Sequence, residues 1–321
     1  SNGMVDGHET SPLLYSKDQT FRPVDLQFGP DGALYVIDWY NEVINHGEAA
    51  FRGKNRDNSH GRIWRITHKD NPPLPVIDLT QLSIEELLDQ LKTYEDRTRY
   101  RARIQLREFP KDNVLPILQS WVSQLDPEDP EYEHYRLEAL WIFQQLNHPN
   151  EALLNELLNS QNDDVRTAAT RVLFYWRSDV ENAHQRLISL SKDPAPRVRL
   201  EAIAALSHFK SEATVKALLS ASELPREYYI DYALEEAFKH LKPVWIEMFE
   251  ADSNFLADEP QKASLLLQPF YTTEALRLPG FIPSGKSEKL TYTPLTETDF
   301  RVLSDVPAVT RFLITQKGVP D

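Results

Sequence analysis

An arginine set three residues ahead of an alanine or another apolar residue returns along this chain at nearly even intervals. It stands at Arg101-x-x-Ile104, Arg136-x-x-Ala139, Arg166-x-x-Ala169 and Arg199-x-x-Ala202, with Asp231-x-x-Leu234 as a degenerate fifth; the spacings are 35, 30, 33 and 32 residues. A period of that size holds two helices and a turn, a unit too small to bury its apolar face alone. The pattern therefore predicts an α-solenoid of about five helical pairs over residues 83–269. The alanine lets paired helices approach closely, and the arginine can reach an acidic side chain of the next unit. Such exposed ladders contribute about 0–1 kcal/mol per pair. The holding rows are apolar: Ala139-Leu140-Ile142-Phe143, Val172-Leu173-Tyr175-Trp176 and Ile203-Ala204-Leu206. Each large side chain buried there is worth roughly 1.5–3 kcal/mol. Ser83 followed by Glu86 fits a capping box opening the first helix, which carries Leu87, Leu88 and Leu91.

A chain of 321 residues with 41% hydrophobic and 10% aromatic residues can build a real core. Its 49 acidic against 35 basic residues give −14, which argues against a nucleic-acid or anionic-membrane binder. Cysteine is absent, so a covalent c-type haem, whose CxxCH motif needs two thiols, has no place within it. No apolar run approaches the length of a transmembrane helix. The opening SNGMVDGHE has neither a basic start nor an apolar core, so no signal peptide is read there. With no initial methionine, the chain reads as a fragment of a longer protein.

Ahead of the helices the period is two. Val24, Leu26 and Phe28 alternate with Asp25 and Gln27; Gly29-Pro30-Asp31-Gly32 follows as a turn, and Ala33-Leu34-Tyr35-Val36-Ile37 is rich in β-branched and aromatic residues. Arg62-Ile63-Trp64-Arg65-Ile66 makes a third strand, and Leu13-Leu14-Tyr15 is the place for one more short strand. These predict a small antiparallel β-unit over residues 1–70 whose edges need cover from the helices or another chain. Asn71-Pro72-Pro73-Leu74-Pro75 opens a stiff, extended linker, residues 71–82. At the other end, residues 270–321 read as a loop-rich tail in which Thr296–Asp299 and Asp305-Val306-Pro307 open short helices of a further unit. The fold class is mainly α, a helical solenoid preceded by a small β-unit.

The wording of the β-unit is specific: FRPVDLQFGPDGALYVIDWYN from Phe21, then RxxNRDNSHGRIWRIT from Arg52. It resembles the last blade of the six-bladed propeller in large sugar-dehydrogenase-like proteins of planctomycete and Bacteroidetes type. Residues 163–169 and 194–202 likewise resemble HEAT repeats. In that family the propeller is followed by HEAT-type repeats and often by a haem-attaching CxxCH domain. The resemblance thus implies a partial propeller blade and an exported parent, periplasmic or on the cell surface. The expected role is a helical-repeat scaffold facing a protein partner or the parent's own propeller and cytochrome domains. The alternative it implies is an oxidoreductase segment, with quinone and calcium at the parent's sugar- or alcohol-oxidising site and electrons passing to a c-type haem elsewhere. No catalytic base of such enzymes matches a position here.

Read from residue types, the candidate site is the long polar loop 38–61, a length at which loops are often functional. Asp38, Asn41, His46, Arg52, Arg56, Asp57, His60 and Arg62 are its candidates. The arginines suit a carboxylate or quinone oxygen, and Asp38 with Asn41 suits a hard cation such as calcium. The structural alternative pairs Asp57 with Arg56 or Arg62 and has His60 pin the loop through backbone hydrogen bonds. His46 and His60 lie 14 residues apart, without the helical spacing of a zinc hydrolase. GxSxG, P-loop and GxGxxG motifs are absent. His134, His184, His208 and His240 read as packing or surface residues, and Glu85-Glu86, Asp163-Asp164 and Glu235-Glu236 as solvated helix faces and starts. Tyr228, Tyr229 and Tyr232 could form a binding groove, but their helical spacing makes core packing the default, and Trp121, Trp141, Trp176 and Trp245 are likewise expected in the core.

Overall fold

A computed structural model describes residues 7–42, 57, 59–252 and 254–267. The described chain is mainly helical, a HEAT-like α-solenoid preceded by a small antiparallel sheet. Three strands, β1 (Pro23–Phe28), β2 (Leu34–Asp38) and β3 (Arg62–Ile66), precede helices that begin with α1 (Ile84–Asp89), α2 (Asp96–Leu106), α3 (Lys111–Ser123) and α4 (Tyr132–Gln145). The series continues through α5 (Glu151–Leu158), α6 (Asp163–Tyr175), α7 (Ala183–Leu190) and α8 (Pro196–Leu206). It closes with α9 (Glu212–Ala221), α10 (Tyr228–His240), α11 (Lys242–Ala251) and α12 (Pro260–Leu267). The described residues form two compact units, divided between Ile142 and Phe143. The expected tail helices beyond residue 267 lie outside the described residues.

In the first unit the strands run in the order β1-β2-β3, both pairs antiparallel. The first connection is tight: Gly29 N–H donates to Ala33 O at 2.8 Å, and Gly32 adopts φ +74°, where a side chain would be strained. A Cβ on Gly32 would also sit 3.2 Å from the Leu74 side chain. Leu74 is held there by its N–H, which donates to Asp31 O at 2.9 Å. The 71–82 segment thus lies on the strand turn rather than standing clear of it. Leu13–Tyr15 form no strand and are exposed, a correction to the expected fourth one. Val24, Leu26 and Phe28 are each more than half exposed. Among described residues no helix covers that apolar row, and the helical side reaches β1 through Arg97 Nη2, which donates to Gln27 Oε1 at 2.6 Å. The capping box forms as written: Ser83 N–H donates to Glu86 Oε2 and Glu86 N–H to Ser83 Oγ. Leu87, Leu88 and Leu91 are fully buried behind it.

In the second unit α6, α8, α10 and α12 pack as successive neighbours in one layer, while α9 and α11 pack together beside them. Side-chain caps start many of these helices: Asn150 on α5, Asn162 on α6 and Ser211 on α9. Trp176 and Trp245 are buried as expected, as is Trp121 in the first unit, where Trp141 is buried only partly. The tyrosines depart from expectation. Tyr175, at the end of α6, and Tyr228, Tyr229 and Tyr232 of α10 are all about half exposed; on α10 Ile230, Leu234, Ala237 and Phe238 already fill the buried face.

The repeating arginine has a definite job. Arg166 Nη1 donates to Ser160 O and Gln161 O, and Arg199 Nη1 to Asp193 O and Pro194 O. Each reaches back five and six residues and ties the entering loop to its helix. In the first unit the residue that does this is Arg99, which donates to Thr93 O and Tyr94 O. The first repeat element is therefore Arg99-x-x-Ala102, two residues earlier than the sequence pattern suggested; Ala102 is fully buried, whereas Ile104 is exposed. The same guanidinium then reaches forward. Arg166 meets the Asp193 carboxylate at 2.9 and 3.0 Å, while Arg199 Nη2 donates to Pro225 O at 2.7 Å, a carbonyl in place of the expected acid. Arg166→Ala is expected to cost about 2–3 kcal/mol in urea denaturation, because it strands loop carbonyls and Asp193. Arg171, mostly exposed and paired with Glu201, should cost no more than about 1 kcal/mol when replaced by alanine.

Candidate functional site

Asp38, at the end of β2, is 1% exposed and is the centre of the polar cluster. Antiparallel register sets it opposite Arg62 of β3. Its Oδ1 accepts from Arg22 N–H at 2.8 Å and Tyr40 N–H at 3.0 Å. Its Oδ2 accepts from Arg62 Nε at 2.8 Å and Trp64 Nε1 at 2.9 Å. Burial opposes ionisation, but hydrogen bonds from Arg22 N–H, Trp64, Tyr40 N–H and Arg62 outweigh it and hold the pKa below the usual carboxylate value. Arg62 continues outward to Asp18 Oδ2 at 2.6 Å and Thr20 Oγ1 at 3.1 Å. Its guanidinium carbon lies 4.3 Å from the centre of the Tyr40 ring. Tyr40 stands at φ +56°, a costly backbone position that its bond to Asp38 and the stacked arginine help to maintain.

Of the other candidates, Asn41 is buried, and its N–H donates to Thr20 O at 3.0 Å. Asp57 and His60 form a small turn of their own. Asp57 Oδ1 accepts from Ser59 N–H, Ser59 Oγ and His60 N–H, and Oδ2 lies 2.6 Å from His60 Nδ1. The backbone N–H of Ser59 leads in pulling the Asp57 pKa down to about 2. Of the two pairings offered for Asp57, the one with Arg62 is not formed, since Arg62 serves Asp38 and Asp18 while Asp57 serves His60; the one with Arg56 falls outside the described residues. The Tyr40 and His60 rings stand edge to face at 6.3 Å. His46, Arg52 and Arg56 lie outside the described residues.

A carboxylate oxygen offers about two lone-pair sites, and both of Asp38's oxygens already accept two N–H groups. As arranged it holds an arginine, and the residues described do not fit calcium. Arg62 is likewise committed, so no quinone oxygen is assigned to it. Among the described residues no group of three potential metal ligands occurs.

A second buried cluster escaped the sequence reading. Glu138 of α4 is 1% exposed; its Oε1 accepts from Arg99 Nε at 3.2 Å and its Oε2 from Arg103 Nη1. His134 Nε2 lies 3.4 Å from Oε1, and its Nδ1 lies 3.2 Å from Glu131. Contact with Glu138 raises the His134 pKa above its usual 6.5, against the effect of burial. Burial acts first on Glu138, but His134 and Arg103 bring its pKa below the usual 4.5. The signs follow. The histidine's contribution is complete below pH 6.5 and is lost as pH rises through its raised value. The glutamate's is complete above pH 4.5 and is lost as pH falls through its lowered value. Thermal unfolding should therefore show greatest stability from this pair between about pH 4.5 and 6.5, and His134→Ala should flatten the alkaline fall.

Together these features describe a helical-repeat protein whose small sheet is latched by a buried carboxylate. Residues 150–239 match the family of HEAT repeats, which fits the two-layer helical unit. Residues 3–70 match a domain of unknown function (DUF7133), which spans the sheet and the Asp38 cluster. No curated protein matches the chain. HEAT repeats commonly mediate protein–protein interaction, and stacked repeats provide extended binding surfaces. Among the described residues no helix is long and apolar enough to cross a membrane.

Proposed function

We propose that this chain is the helical-repeat scaffold of a larger exported protein, and that its β-unit completes a sugar-dehydrogenase-like β-propeller. The observation that carries this reading is the edge strand β1, with Val24, Leu26 and Phe28 bare along its length. A long apolar edge is a template for another strand and is seldom left open. Ile63 and Trp64 on the opposite edge strand are also exposed. The solenoid then serves a protein partner or the parent's own domains in the periplasm or at the cell surface. The quinone, calcium and c-type haem that the resemblance implies belong to the parent's other segments, and Asp38 and Arg62 brace the sheet rather than the chemistry.

Cross-linking and mass spectrometry on extracts of the source cells, with antibody capture and a stain for covalent haem, test this. The expected result is a haem-staining product much longer than 321 residues, with cross-links from Lys17 and Lys69 to β-rich segments outside them. A haem-free product of 321 residues whose lysines link only within the chain would overturn it.

A further inference from the structure

We propose that the groove between residues 74–80 and α2 binds a small organic carboxylate with an apolar body. The groove encloses about 540 Å³, within the roughly 300–1,000 Å³ of small-molecule sites. Leu74, Ile77 and Leu79 line it from the extended segment, and Arg97, Arg101 and Ile104 from α2. Leu74, Ile77 and Ile104 are all more than 40% exposed, so apolar surface stands open on both walls.

The polar groups choose the ligand's charge. Arg97 and Arg101 are one helical turn apart and project onto the same face. Arg97 gives one N–H to Gln27 Oε1, which leaves its guanidinium further donors. Arg101 is exposed and meets no carboxylate among the described residues. The one carboxylate in the lining, Asp78, accepts from Thr80 N–H at 3.1 Å and Thr80 Oγ1 at 2.7 Å, and so caps the short turn 79–81. Two guanidiniums thus stand against a single lining carboxylate that, among the described residues, pairs with neither of them, in a chain whose net charge is −14. Planar, forked donors of this kind match a carboxylate in two-point contact. The role of Arg101 and Ile104 also needs an account, because Arg99 and Ala102 perform the repeat function their spacing imitated. In the groove they supply the charge and the apolar wall.

The test is a titration of the full chain with octanoate below its micelle concentration, followed by calorimetry and by amide chemical shifts. Octan-1-ol and octylammonium serve as controls. One octanoate per chain is expected, shifting the amides of residues 97–105 and binding at least tenfold more tightly than either control. Arg101→Glu should weaken it at least tenfold at unchanged melting temperature, and Ile104→Asp should do likewise by removing the apolar wall. Absence of saturable octanoate binding, equal binding of octan-1-ol, or wild-type affinity in both variants would overturn the proposal.

Discussion

Replacing Glu138 by alanine should destabilise the first unit by about 3–5 kcal/mol, the cost of removing one partner from a buried ionic cluster. The carboxylate is almost inaccessible, and Arg99, Arg103 and His134 all converge on it. Without it, three cationic groups face one another around an empty acceptor position. Arg99 would suffer twice, because it also binds the carbonyls of Thr93 and Tyr94 that shape the loop into α2. Glu138→Gln keeps the volume and one acceptor oxygen but loses the charge and sets its NH₂ against an arginine donor, so most of the loss is expected. Urea denaturation followed by helical circular dichroism measures both. Near-wild-type stability in Glu138→Ala would show that the cluster is adequately solvated.

Replacing Asp38 by alanine should cost about 3 kcal/mol or more, through four donors left without their acceptor. Two are backbone N–H groups, of Arg22 and Tyr40; the others are Arg62 Nε and Trp64 Nε1. Here too the amide should help little. Asp38→Asn retains one carbonyl oxygen, which can still accept from Arg22 and Tyr40, but turns its NH₂ toward Arg62 and Trp64, donor against donor. Its loss should approach that of alanine, as at Glu138. Trp64 packs edge to face on Phe21 at 6.3 Å, and its fluorescence reports on the sheet once the other five tryptophans are replaced by phenylalanine. An Asn variant as stable as wild type would show that the two donors find water instead.

The period of the repeats was legible in the sequence, and so was the change from period two to helical period at Ser83. Register was harder. In the run from Arg97 to Arg103 arginines alternate with other residues, and several of them stand three ahead of a plausible partner. Burial leaves Ala102 and Leu106, three after Arg99 and Arg103, and the bonds of Arg99 to the Thr93 and Tyr94 carbonyls decide between them. The tyrosines of α10 show a related limit: helical spacing establishes that Tyr228 and Tyr232 share a face but not that the face looks outward. At the candidate site Asp38 and Arg62 were both recognised by residue type. Their mutual contact spans 24 residues and depends on strand register, and the outer partner Asp18 carried no local signal. Glu138 did carry one, a lone acid between Leu137 and Ala139 in an apolar run. A charge at such a position must find partners.

The most direct test of the account is thermal unfolding of the wild-type chain and Asp38→Asn across a calcium titration. If Asp38 is a structural latch with its acceptor positions filled, added calcium leaves the wild-type midpoint unchanged. A saturable rise in the wild type that Asp38→Asn abolishes would contradict the account and return Asp38 to the chemistry of a metal site.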